Sequence, residues 1–397
     1  MEENKFSVLR IISKGSFIEL FLLLLNTIYF VFTTKYISVA ERGEYSILIS
    51  LVGLIALLSN LLIGSLDIKN NKLNIKIIYY VVIRISLLSL LLSSLYMSFS
   101  NKLLSINTGY IIIISVFTST LISLNSVFNL FLYKQKKYYL NNYIQIILLL
   151  FSISISVFLV SCKYQIINFV YINYLLTQLV IFITLLSFLN LDKNKNFQIR
   201  IDFKTNLNIL IQDITTGSLI RFAPFIFNFF ISRKEIGFLR IIFFFVELIL
   251  KYARLLLPFQ RKFIIKKEFT RSKNNFFRYS NLIYSFSIAI IFFIFKDYIV
   301  SSLFGNEYSD INNLLLSSFV FSIIWSSLIL KINYINISKI YPLNITIHLF
   351  LIIIPSYIFY FITTDFNMYM YSLSFLSAIT LVYLNYKKSH EKSLFIL

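Results

Sequence analysis

Apolar runs of about 20 residues recur along this chain, separated by short clusters of Lys, Asn, Asp and Gly. Runs of that length constrain the fold more than any motif, because at 1.5 Å per residue each one can cross the roughly 30 Å of hydrocarbon in a bilayer. Twelve candidate spans can be placed, near 15–34, 45–66, 77–99, 108–132, 142–161, 166–190, 208–231, 237–258, 279–303, 312–331, 341–363 and 366–386. Strands of a β-barrel would be shorter and would alternate polar with apolar residues. The first run has an apolar core, Phe17 to Thr34, longer than a signal-peptide core, so it reads as a retained span. The expected fold class is an all-α integral membrane protein of about twelve transmembrane helices.

Composition agrees. Of 397 residues, 58% are hydrophobic and 14% charged, against about a quarter charged in soluble domains. The formal charge of +20 would suggest nucleic acid in a soluble chain. Here its placement decides otherwise. Alternate loops and the two ends carry 25 Lys and Arg, the opposite loops 6, and the remaining 6 lie within spans. Positive charge marks the cytoplasmic side, so both termini are expected in the cytoplasm, and no nucleic-acid partner is expected. The most basic loop, Phe259 to Arg278, reads as an anchor on anionic headgroups, with recruitment of a cytosolic partner as the alternative. Cys162 stands alone, and with only His348 and His390 it makes no metal-ligand set. No phosphate-binding loop motif occurs. No cofactor, metal or catalytic residue is therefore expected.

The chain repeats itself weakly. Ile37-Ser-Val-Ala-Glu41-Arg-Gly43-Glu-Tyr45 matches Ile231-Ser-Arg-Lys-Glu235-Ile-Gly237-Phe-Leu239 at an offset of 194 residues, close to half the chain. Two six-helix lobes follow, 1–190 and 208–397, joined by a polar cytoplasmic linker at 191–207. Six is even, so both lobes enter the membrane the same way, and their pseudo-twofold is expected along the membrane normal.

Charge at bilayer depth costs several kcal/mol unless it is paired or faces water, which makes each such residue a candidate for function. In the span 237–258, Arg240, Glu247, Lys251 and Arg254 are spaced by 7, 4 and 3 residues, which places them on one helical stripe. Arg221 and Arg84 are further cations within spans, and Glu247, Asp213 and Glu19 are acidic residues there. Asn125 and Asn129 stand one turn apart in the span 108–132, Gln212 lies beside Asp213, and Lys296 adjoins Asp297. Glu247 and Lys251 have the spacing of a purely structural i,i+4 pair, and Arg254 could reach the headgroups. A net-positive, wet cavity suits a large anionic substrate such as a lipid-linked phosphate or diphosphate. Pro224, Pro258, Pro342 and Pro355 can kink or stop helices, and Trp325 lies deep in its span, where packing is its expected role.

These residues resemble a known family. Glu41-Arg-Gly43-Glu-Tyr45 looks like the E-x-G-x-[YF] turn of polysaccharide-biosynthesis flippases, the O-antigen flippase (Wzx) type within the MOP exporter superfamily. Leu303-Phe304-Gly305-Asn306-Glu307-Tyr308 resembles the L-F-G-x-x-Y segment that such proteins carry at the matching place. The resemblance implies alternating access by two lobes in a bacterial cytoplasmic (inner) membrane. It also implies transfer of an undecaprenyl-diphosphate-linked oligosaccharide, a unit of O-antigen, lipopolysaccharide, capsule or other surface polysaccharide, together with other polysaccharide assembly proteins as possible partners. The positions that fit its cationic cavity are Arg84, Arg221, Lys251 and Arg254, with Arg240 on the same stripe, and Glu247, Asp213 and Glu19 would be the carriers of a coupling ion. Such a carrier is not an enzyme.

Two alternatives stand beside this reading. A multidrug or metabolite exporter of the same superfamily would favour an acidic cavity for cationic drugs. A membrane enzyme such as an O-antigen polymerase generally needs a large outer loop or a catalytic acidic motif, whereas the outer loops here are on the order of ten residues once twelve spans are placed.

Overall fold

A computed structural model describes Ile18 and residues 21–61, 73–74, scattered positions between 79 and 94, 108–134, 140–164, 166–188, 191–192, 220–265, 271–337 and 342–394. The described chain is helical. Its helices are α1 (Phe21–Lys35), α2 (Val39–Leu61), α3 (Thr108–Lys134), α4 (Leu140–Ser161), α5 (Ile166–Phe188), the short α6 (Ala223–Phe227), α7 (Arg233–Ile265), α8 (Arg271–Ile294), α9 (Lys296–Leu303), α10 (Asn312–Ile337), α11 (Pro342–Thr363) and α12 (Phe366–Leu394). The exception is a two-residue parallel pairing of Leu73–Asn74 with Leu191–Asp192. Both of those segments fall in loops expected on the cytoplasmic side.

Among the described residues, five helices are long and apolar enough to cross a membrane: Leu140–Ser161, Ile167–Phe188, Lys273–Ile294, Asn306–Ile335 and Phe366–Asn385. Phe21–Lys35 and Leu349–Thr363 are shorter apolar helices. Their faces carry many exposed large side chains, including Ile147, Phe151, Phe158, Ile283, Ile290 and Val382. Apolar surface on that scale is compatible with a membrane protein, because hydrocarbon exacts no penalty for it.

The chain divides into two compact units, Met1–Gly237 and Phe238–Leu397. In the first, one cluster joins Tyr45, Leu48, Val52 and Ile55 of α2 to Ile114, Val170, Tyr171 and Ile236. A second packs Leu124, Phe128 and Leu132 of α3 against Ile144, Ile181 and Leu185, with the rings of Phe128 and Phe182 stacked at 5.5 Å. In the second unit, Phe245 meets Phe292, Phe304 and Phe319 edge-on. Trp325 is buried and stacks on Phe321, the packing role expected of it.

Several boundaries differ from the sequence reading. α2 and α7 begin at Val39 and Arg233 rather than near 45 and 237, because a capping box precedes each. α7 also runs through Pro258 to Ile265, and α8 starts at Arg271, so the basic segment 259–278 is helical at both ends. Of the expected span 208–231, residues 208–219 lie outside the described residues; the described part has a turn at 220–222 and then the five-residue α6, with Pro224 in its first turn. Proline suits that position, because the first turn of a helix needs no donor from its missing N–H.

Candidate functional site

The two copies of the repeated motif fold alike. At the start of α2, the Ser38 backbone N–H and hydroxyl both donate to the Glu41 carboxylate, at 3.0 and 2.8 Å, and the Glu41 N–H returns a bond to Ser38 Oγ at 3.3 Å. At the start of α7, the Ser232 N–H donates to Glu235 Oε2 at 2.7 Å, and the Glu235 N–H to Ser232 Oγ at 3.3 Å. Each is a reciprocal capping box that satisfies two orphan donors of a helix N-terminus. The spacing S-x-x-E is visible in the sequence and, used as a start signal, places both helix ends.

These two helix starts cross. A Cβ on Gly43 would overlap the carbonyl oxygen of Arg233, and a Cβ on Gly237 would overlap that of Val39. The crossing is closed by an ion pair between Glu44 and Arg233, whose side chains are 8% and 26% exposed. The rest of the motif packs around it. The Arg42 guanidinium lies 4.1 Å from the Phe30 ring centroid, and Tyr45 meets Tyr171 edge-on at 5.5 Å. Every defined position of Glu-x-Gly-x-Tyr therefore has a physical task here: a cap, a close approach and a core ring.

The second motif is equally structural. Gly305 holds φ of 100°, which favours glycine whatever the space around it. That turn lets Phe304 and Tyr308 bury together, 6.2 Å apart, Phe304 against Phe244 and Phe245 and Tyr308 against Phe238.

The predicted cationic stripe lies on α7. Ile241, Ile242, Phe243, Phe245, Val246, Ile249, Leu250 and Ala253 are buried, while Arg240, Glu247, Lys251 and Arg254 are each half-buried. The charged stripe thus coincides with the side of α7 that packing leaves partly open. Glu247 pairs with Arg240 two turns away, at 3.7 Å, rather than with Lys251 as its i,i+4 spacing suggested. Three cations and one acid leave the stripe net positive. Arg221 is exposed in the turn before α6, not in mid-helix. Arg84, Asp213, Gln212 and Glu19 lie outside the described residues. Lys296 opens α9 with its ammonium 5.3 Å from the Phe293 ring centroid, and Asp297 accepts from Asn312 Nδ2 at 2.5 Å, which marks both as turn residues. Among the described residues, no group of three His, Cys, Asp or Glu could hold a metal.

Sequence reading missed the Glu44–Arg233 pair, whose members lie 189 residues apart. No local spacing signals it. No protein-family model, curated protein or solved structure matches the chain.

Proposed function

We propose that this chain is a flippase that moves an undecaprenyl-diphosphate-linked oligosaccharide, a surface-polysaccharide unit, across a bacterial cytoplasmic membrane. In this reading it is a multi-pass carrier with both termini in the cytoplasm. About twelve helices form the lobes 1–190 and 208–397, joined by 191–207, and the chain alternates access without covalent change to its substrate. The observation that carries the reading is α7: its open side bears Arg240, Lys251 and Arg254 with a single acid, Glu247, while its other sides are buried among apolar residues. A charged stripe along a helix of such length requires water or an anionic partner, since hydrocarbon would leave it unsolvated. A diphosphate is the group that several weakly held Arg and Lys side chains neutralise. Arg221 and Arg84 join them as proposed contacts, and Glu247, Asp213 and Glu19 as proposed carriers of a coupling ion.

The test is leaflet transfer in vesicles. Purified protein is reconstituted with a fluorescent undecaprenyl-diphosphate oligosaccharide, and outward passage is scored by access of an external glycan-modifying probe. Transfer that depends on protein and falls in Lys251→Gln and Arg221→Ala supports the reading. Folded protein that transfers nothing shifts the assignment to a small-molecule exporter.

A further inference from the structure

A second polar feature lies within the first unit. Asn125, Ser126 and Asn129 of α3, Asn141 and Gln145 of α4 and Gln178 of α5 line one cavity of about 470 Å³, together with two isoleucines. The cavity wall contains no Asp, Glu, Lys, Arg or His. Its volume falls within the roughly 300–1,000 Å³ usual for small-molecule sites and far exceeds what a dehydrated ion needs.

The carboxamides here are not simply gluing helices together. Asn173 shows how this bundle treats a structural amide: it donates to the Tyr29 hydroxyl at 2.9 Å and accepts from Ser152 Oγ at 2.9 Å, so both its ends are used. Asn125 is different. Its Nδ2 donates to the Gln178 backbone carbonyl and to Gln178 Oε1, each at 3.1 Å. Its Oδ1 is buried with no hydrogen-bond partner among the described residues. The amide cannot be turned over, because that would set Oδ1 against a backbone carbonyl that only accepts. Asn141 Oδ1, on α4, is left in the same condition. A buried acceptor without a donor costs about 1–3 kcal/mol, and two residues that carry one, Asn125 and Asn141, line the same cavity, which calls for a ligand rich in hydroxyl donors.

We propose that this carboxamide-lined cavity binds a neutral saccharide. Each side-chain amide offers a donor and an acceptor side by side, which is what a sugar hydroxyl presents in return, and the uncharged wall suits a neutral ring. The proposal rests on the flippase reading in one respect: the sugar is taken to be part of the carried glycan. The charged diphosphate and the neutral sugar would then be held on different helices, the first on α7 and the second among α3, α4 and α5.

The experiment uses the full chain in lipid nanodiscs and saturation-transfer NMR. The probes are neutral hexoses, 6-deoxyhexoses, N-acetylhexosamines and their disaccharides, with inorganic phosphate as competitor. At least one saccharide class binds saturably, and phosphate does not displace it. Asn125→Leu weakens that binding about tenfold or more, as expected when a buried polar partner is lost, while Ser154→Ala on the exposed face of α4 leaves it unchanged. Asn129→Leu provides a second variant should Asn125→Leu fail to fold. Absence of binding by every saccharide, or binding indifferent to the folded Asn variants, overturns the proposal. Leaflet transfer, measured on the same purified protein and variants reconstituted in vesicles, separates the two readings. Saccharide binding without transfer keeps the cavity and removes the flippase, and transfer without saccharide binding does the reverse.

Discussion

Gly43 and Gly237 sit at one crossing of two helix starts, and each is faced by a carbonyl belonging to the other helix: that of Arg233 for Gly43 and that of Val39 for Gly237. The pairs 39 with 233 and 43 with 237 are both 194 residues apart. The weak sequence repeat is therefore a local twofold in space, since each copy supplies the glycine that admits the other copy's backbone. Exchange of like contacts is the mark of a self-complementary crossing.

Gly43→Ala and Gly237→Ala should each destabilise the protein by about 1–3 kcal/mol, the usual cost of forcing a methyl into a filled space. The internal control is Gly53→Ala, in the same helix as Gly43, where a Cβ would meet only the Phe222 ring at 3.5 Å. That change should be neutral or stabilise by up to about 1 kcal/mol, because alanine is the better helix former. Thermal unfolding in detergent reads all three. Equal behaviour of Gly43→Ala and Gly53→Ala would remove the close approach.

Glu44 and Arg233 are expected to couple. In a double-mutant cycle with Glu44→Gln and Arg233→Met, the double variant should lose less than the sum of the single losses, by about 1–2 kcal/mol. Strict additivity would show that the ion pair contributes nothing to the crossing.

Loss of either capping box should cost about 1 kcal/mol. Ser38→Ala and Ser232→Ala each remove an acceptor for the backbone N–H of the residue three positions on. Hydrogen exchange should therefore quicken at Glu41 in the first variant and at Glu235 in the second. Exchange unchanged at both amides would count against the boxes.

Cys162 tests the orientation without any substitution. It is the only cysteine in the chain and is exposed just after α4, in a loop that the proposed topology puts outside. A membrane-impermeant maleimide added to intact spheroplasts should label it. Labelling that appears only after permeabilisation would invert the topology.

The α7 stripe predicts graded losses. On the flippase reading, Arg240→Gln, Lys251→Gln and Arg254→Gln should each lower leaflet transfer about tenfold or more, the loss expected when a charge-assisted contact of about 1.5–3 kcal/mol is removed. The amide variants Glu19→Gln, Asp213→Asn and Glu247→Gln test coupling. Transfer unchanged in all three eliminates them as ion carriers.

Much of this was determined by residues near one another in the chain. The length of the apolar runs dictated helices, the 7, 4 and 3 spacing placed Arg240, Glu247, Lys251 and Arg254 on one stripe, and the two Ser-x-x-Glu boxes marked where α2 and α7 begin, because helical periodicity and capping act over three or four residues. Only the tertiary structure decided that Gly43 meets the backbone of a helix 190 residues on, that Glu247 chooses Arg240 over Lys251, and that the Asn125 oxygen is left without a donor among the described residues while Asn173 is satisfied on both sides. Such outcomes depend on which helix faces pack together, and a polar group's partners are then whatever that packing brings within about 3 Å of it.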